Sequence, residues 1–431
     1  MTEPVAKAQA PPLAALFLSV FIGLMGFGVL LPVFPFWGRA LGAEPTMITI
    51  ALGAYSLGQF IGSPFWGRMS DRYGRRPVLL ISLVGGMVSY LFMAQATNIW
   101  MLGAARLLGG LMAGNIAVAF AYVGDVVPEA QRPKAMGMLG AAFGLGFIFG
   151  PAIGGLVAGD APGAVEFARV AYVSAAITAV AVIGVFVQLP ESLTPERRAA
   201  TRAAGGAPAI GTVLRAKPAV ISLILLGLLV IGSAAMMETT FALFADDQLG
   251  WTPREVGLSF GLIGTISAVL QAVGAAPLAK RFGPNRVALI GIASYAAGLT
   301  GLGLAVGGTA VLVALAVTAI GVGVFNPAFQ TLVASTTNDD DRGIINGLTQ
   351  GGSAMGRIIG PAISGAMFQH MGPATPFLAG AAAMVLAFGV ALAASRKALA
   401  ASREAVAASH EAVAPSHEAV AASRTVAERQ P

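Results

Sequence analysis

Twelve runs of about twenty mostly apolar residues, each ended by a polar stretch, dominate this chain. They fall approximately at 13–36, 48–66, 78–97, 99–123, 136–158, 170–189, 219–243, 256–278, 287–306, 310–335, 344–371 and 374–394. A helix needs about 20 such residues to cross hydrocarbon, and a segment in lipid must satisfy its own backbone. Twelve repetitions of that pattern specify an all-α membrane protein. Charged residues make up 11% of the 431 positions, against about 25% in a soluble domain. A soluble α/β enzyme, a disulfide-built secreted domain and a disordered chain are therefore excluded.

Charge also orients the spans. The N-terminus, the loops after spans 2, 4, 6, 8 and 10 and the C-terminus together hold 21 of the 26 Lys and Arg residues. The opposite loops hold Arg39, Arg169 and Arg254, and Arg106 and Arg357 lie inside spans. The positive-inside rule then puts both termini in the cytoplasm. The same asymmetry accounts for the net charge of +6, so no nucleic-acid partner is expected. Residues 1–12 are polar and the first apolar run exceeds a signal core, so no cleaved leader is expected either. The four tryptophans, Trp37, Trp66, Trp100 and Trp251, fall at or just beyond span ends, as in an interfacial aromatic belt.

Chemistry that makes or breaks bonds finds little support. There is no cysteine, and the three histidines form no intramembrane cluster, so neither a metal site nor a bound cofactor is expected. Residues 257–261 match the Gly-x-Ser-x-Gly nucleophile pattern, but that motif needs a strand–turn–helix setting and a histidine base. No phosphate-binding loop or zinc-protease motif occurs. The chain is read as a non-enzyme.

A polar stretch at 190–218 divides the chain into bundles at 13–189 and 219–394, flanked by a short N-terminus, 1–12, and a tail, 395–431. Arg132, Gly137, Gly146, Gly150, Pro151 and Gly155 recur 210 positions later as Arg342, Gly347, Gly356, Gly360, Pro361 and Gly365. Such a repeat predicts two pseudo-symmetric six-helix bundles. The tail has seven-residue periodicity in serine, but its apolar positions are mostly alanine and Pro415 interrupts it. It reads as a low-complexity extension.

The loop after span 2 reads GRMSDRYGRRP, with Gly67, Asp71, Arg72, Gly74, Arg75 and Arg76 at diagnostic spacing. Here the chain resembles the major facilitator superfamily, specifically the twelve-span drug:proton antiporters of the tetracycline- and multidrug-efflux branch. The resemblance runs from residue 13 to about 394. It implies that this loop, with Asp125 at the inner end of span 4, acts as a cytoplasmic gating element. Span 5 carries the family's antiporter motif in Gly137, Gly146, Gly150, Pro151, Gly154 and Gly155, and Leu102, Arg106 and Gly110 match its membrane-arginine motif. The second-half loop keeps Arg281 and Gly283 but has Lys280 where the aspartate would fall. Acidic positions of the tetracycline pumps are occupied by Gly23 and Ser89.

A lone arginine in hydrocarbon needs a cavity and a partner. Glu238 in span 7 is the carboxylate set deepest in any span, and both groups lie ~10 Å from their estimated outer span ends at ~1.5 Å per residue. Glu238 and Arg106 are therefore the expected proton-coupling pair. By family resemblance, spans 1, 4, 7 and 10 supply the cavity, making Phe27, Asn115, Met237, Phe241, Asn326 and Gln330 candidates, with Arg357 as a further buried cation. The expected function is proton-coupled antiport of small amphipathic or lipophilic molecules by alternating access, with no cofactor beyond the proton gradient. The expected setting is a monomer in the lipid bilayer of the inner membrane. Export or exchange of an organic anion is the alternative, and a non-transporting receptor or scaffold is the alternative of another class.

Overall fold

The computed structural model describes residues 13–193, 210–338 and 341–396. Residues 1–12, 194–209 of the linker and 397–431 of the tail, with the expectations attached to them, lie outside the described residues. Ten helices among the described residues are long and apolar enough to span a membrane. Spans 2 and 11, Pro45–Tyr73 and Arg342–Met371, complete the twelve as helices of 29 and 30 residues. These two helices pack on each other between the halves, with Thr46 meeting Gln369 at the end that bears Arg39.

Two spans are broken. Span 1 runs as Leu13–Leu30 and Phe34–Ala40, interrupted beside Pro32 and Pro35, and so ends later than its hydropathy suggests. Span 4 runs as Ile99–Leu111 and Asn115–Val126. Breaking a helix frees carbonyls, and Trp66 donates its indole N–H to Leu111 O at 2.6 Å. That bond corrects the aromatic-belt expectation. Trp66 and Trp37 are both buried, the latter stacked on Phe167 with ring centres 5.7 Å apart. Only Trp100, of these three, is exposed.

The pseudo-symmetry follows the sequence repeat. Within the halves, span 5 packs on span 1 and span 11 on span 7; between them, span 5 packs on span 8 and span 11 on span 2. Small residues permit these approaches. A β-carbon added at Gly150 would lie 2.8 Å from Met25 O, and one at Gly360 would lie 2.6 Å from Gly232 O. One at Gly155 would lie 2.6 Å from Pro253 O, whereas its counterpart Gly365 faces Thr46 and Thr49 of span 2. Gly146 and Gly154 also face span 1, while Gly137 faces open space. The helix Arg132–Ala158 continues through Pro151.

The halves form a wedge. At the end bearing Arg39 they are joined: Arg39 Nη1 reaches Asp246 Oδ2 and Asp247 Oδ1, each at 2.6 Å. Gln369 bridges Glu44 and Thr46 at 2.7 and 2.5 Å, and Arg254 reaches Asp160 at 3.3 Å. Among the described residues, every polar link between the halves lies at this end. Along the face of span 5 that meets span 8, a β-carbon at Gly144 would be 4.0 Å from Ala268, and at Gly140 and Gly137 nothing lies within 4 Å. Gly351, Gly347 and Gly343 of span 11 likewise face open space. The molecule is sealed at the Arg39 end and parted at the Arg75 end.

The Gly257–Gly261 pattern lies inside the helix Pro253–Val269. Its Ser259 is buried and donates to Val256 O at 2.7 Å. A β-carbon at Gly257 would meet the Pro151 carbonyl at 2.5 Å, so this glycine serves packing between the halves.

Candidate functional site

A cavity of about 270 Å³ opens between spans 1, 5, 7, 8, 10 and 11, with Tyr295 of span 9 behind it. Its apolar walls include Phe147, Phe260 and Phe325; its polar groups are Glu238, Gln271, Tyr295, Asn326 and Arg357, with the hydroxyls of Ser267 and Thr318. Met237, Asn326, Glu238 and Arg357 thus share one cavity, as residues of spans 7, 10 and 11. Phe241 does not line it: fully buried, it packs edge-on against Trp251 and Phe260. Gln330 is exposed. Asn115 is buried against Gly23, whose missing side chain leaves the room that the Asn115 amide fills.

Arg106 and Glu238 are not brought together. The Arg106 guanidinium lies 4.9, 5.0 and 5.6 Å from the ring centres of Phe27, Tyr55 and Phe34. It is 1% exposed, and its Nε and Nη2 have no hydrogen-bond partner among the described residues. An arginine at the centre of a span costs roughly 2.5–3.5 kcal/mol, while a desolvated cation–π contact contributes about 2 kcal/mol. Three rings are therefore enough to offset that cost, and part of the cost of the unpartnered N–H groups, without a counterion. The cation whose field acts on Glu238 is Arg357. Depth along a helix was the only measure the sequence offered; it carries no information about which way around the helix a side chain faces.

Among the described residues, the GRMSDRYGRRP loop forms a charge cluster with groups of the first half and the start of the linker. Gly74 adopts φ +110° between two helices, a conformation that favours glycine, and Gly283 repeats it at +80°. The turn sets Arg75 inward, where Nη1 bonds Asp71 and Ser70 at 2.6 Å and Nε bonds Asp125 at 2.9 Å. Glu191 accepts from the backbone N–H groups of Arg75 and Arg76 at 2.8 and 3.2 Å. Arg72 lies over Tyr73, and Gly67 faces open space. In the second half, Lys217 Nζ pairs with Asp341 at 2.6 Å and holds that carboxyl below the usual carboxylate range.

Sequence reasoning missed Tyr55, Phe34, Tyr295, Gln271 and Glu191. The first two carry no charge to betray them. Gln271 had a usable signal, a polar amide within an apolar run, and it sits in a π-helical turn, Leu270–Gly274. Such turns recur at functional sites.

Comparison with known proteins agrees with this architecture. The family model of the Major Facilitator Superfamily matches residues 16–276 and 223–424. The chain is 31% identical over 359 residues to the class B tetracycline resistance protein of Escherichia coli, covering 81% of this chain and 86% of that protein. It is 29% identical over 383 residues to multidrug resistance protein 2 of Bacillus subtilis (strain 168), covering 87% and 92%. Among solved structures, a bacterial homologue of the human lysosomal transporter Spinster, inward-facing and occupied, superposes with a TM-score of 0.74 at 17% identity, covering 89% of this chain and 96% of that one. Twelve helices in two pseudo-symmetric bundles, the matched family model and these relatives place the chain in the Major Facilitator Superfamily of membrane transporters.

Proposed function

We propose that the protein exports small amphipathic or lipophilic molecules in exchange for protons. The supporting observation is a carboxylate, Glu238, in a cavity between two halves that are sealed at one end and parted at the other. A site reached from one side at a time is what alternating access requires. The similarity to a tetracycline resistance and a multidrug resistance protein favours drug-like cargo. Positive-inside orientation assigns the parted, Arg75 end to the cytoplasm, along with both termini and the 190–218 linker between bundles 13–189 and 219–394.

In this reading Glu238 carries the proton. A cationic substrate favours its ionised form and protonation favours release, so the two compete. Arg357, rather than Arg106, tunes that balance. The Arg75 cluster, at the parted end, is the gating element, and the glycine faces of spans 5 and 11 are the surfaces on which the halves rock. The exporter works as a monomer in the inner membrane and needs no cofactor.

The test is uptake of ethidium into proteoliposomes across an imposed pH gradient. Accumulation several-fold above the no-gradient control, abolished by a proton ionophore, is expected. Equal uptake with and without the gradient contradicts proton coupling.

A further inference from the structure

One face of span 2 runs along span 4 and reaches both of its segments. Tyr55 places its ring 5.0 Å from the Arg106 guanidinium on the segment Ile99–Leu111. Gly58 and Gly62, at helical spacing from it, lie against the Leu107 and Leu111 carbonyls. One turn further on, Trp66 lies over Gly114, where any β-carbon would strike the indole ring. After another turn, Ser70 accepts from Arg75, which also holds Asp125 of the segment Asn115–Val126. Trp66 thus sits at the joint between the segment bearing Arg106 and the segment bearing Asp125. Across that joint the regular ladder gives way to tighter turns, with Ala113 N–H on Gly110 O at 2.9 Å and Gly114 N–H on Met112 O at 2.8 Å. In an unbroken helix the Leu111 carbonyl would accept from the Asn115 N–H; here it accepts the indole N–H of Trp66 at 2.6 Å. Trp66 is buried, and a backbone acceptor in hydrocarbon is costly without a donor.

Resting on the reading of the Arg75 cluster as the gating element, we propose that Trp66 is a positioning residue for the transport cycle. By bonding the Leu111 carbonyl and filling the space over Gly114, it fixes the angle between the two segments of span 4. Tyr55, Trp66 and Ser70 belong to one continuous helix, Pro45–Tyr73, so span 2 splints the broken span at three points. A movement at the Arg75 cluster draws on Asp125. With the joint held, span 4 tilts as one body and the movement reaches Arg106; with the joint loose, it is absorbed at Met112–Gly114. Rigid elements in contact are the physical means by which such coupling travels. Phenylalanine at position 66 keeps an aromatic ring but cannot donate, which leaves the Leu111 carbonyl without its partner.

Spin labels at the two ends of span 4 read the joint directly. Trp100→Cys and Glu129→Cys are exposed positions in a chain with no native cysteine, roughly 40 Å apart at ~1.5 Å per residue. In the purified full chain the inter-label distances should be narrowly distributed. In Trp66→Phe the distribution should be about twice as wide, as for two segments free to pivot at a kink. Gly114→Ala, which displaces the indole without removing its N–H, should broaden it likewise, and it gives the same reading should Trp66→Phe not be recovered folded. The double variant should be no broader than the wider single one. In proteoliposomes Trp66→Phe should lower ethidium turnover several-fold and leave KM within twofold. An unchanged distribution in monodisperse Trp66→Phe overturns the proposal, as does a loss of turnover matched by an equal rise in KM. Additive broadening in the double variant also overturns it, since the two residues would then act separately. Absence of ethidium transport by the wild type removes the cargo reading, and full turnover by Asp125→Asn removes the gating reading; the label widths decide the joint in either case.

Discussion

Gly155 of span 5 and Gly257 of span 8 meet across the two halves so closely that a β-carbon on Gly257 would lie 2.9 Å from the Gly155 α-carbon. This contact belongs to the sealed end, and the same two helices part as they approach the Arg75 end. Backbone contact of this kind leaves no space for a side chain. Gly155→Leu should therefore shift the population away from the sealed state. With no native cysteine in the chain, a reporter pair Ala43→Cys and Gln248→Cys can be spin-labelled cleanly. The inter-label distance should lengthen in the Gly155→Leu background; an unchanged distribution contradicts the packing role.

The polar seal is weaker than the packing. Arg39 and its two aspartates are each about a third exposed, and such pairs contribute roughly 0.2–1 kcal/mol apiece. Asp246→Asn should change the sealed population less than twofold, because Asp247 keeps Arg39 in place. Arg39→Gln removes both pairs and should change it several-fold. The same labelled pair reads both, and equal effects of the two substitutions would argue against shared pairing.

Span order, the two-bundle fold and the 5–11 repeat were legible because they depend on period and small-residue spacing, which the sequence carries directly. Gly146, Gly150 and Gly154 repeat at one turn of helix, and that spacing alone predicts a packed face. The pairing of Arg106 was not legible. Its partners are the rings of Phe27, Phe34 and Tyr55, ordinary residues in a membrane helix, and Tyr55 belongs to a different span. Glu191 was visible as a linker charge, but its two backbone donors exist only once Gly74 turns the chain.

Arg106 gives a prediction in which stability and function separate. The cost of burying it and the attraction of three rings nearly cancel, so Arg106→Met should alter thermal stability by no more than about 1 kcal/mol. Arg106→Lys should not restore function, because an ammonium cannot lie flat against several rings. Melting in detergent and transport in proteoliposomes read the two effects. A large loss of stability in Arg106→Met would mean the cage is structural.

Within the Arg75 cluster, Asp125 is the more buried acid, with its side chain 18% exposed against 45% for Asp71. Asp125→Asn should therefore slow transport more than Asp71→Asn. Both should leave substrate affinity nearly unchanged, since the cluster shares no residue with the cavity. A parallel fall in binding and transport would assign the cluster to fold maintenance.

The Lys217–Asp341 pair sets an acid limit. A carboxyl whose folded pKa is depressed stabilises the folded state above its unfolded pKa, about 3.9, and loses that contribution as pH falls through the lower folded value. The stability difference between wild type and Asp341→Asn should therefore be constant from neutral pH to about pH 4 and shrink below it. A difference that widens on acidification contradicts the assignment.

The most direct test of proton coupling is Glu238→Gln, which holds the side chain neutral at nearly constant volume. In everted membrane vesicles with an imposed pH gradient, the account predicts that gradient-driven accumulation of ethidium is abolished while counterflow exchange of preloaded substrate persists. Full proton-driven accumulation by the Gln variant would contradict it and leave Glu238 as a counterion to Arg357.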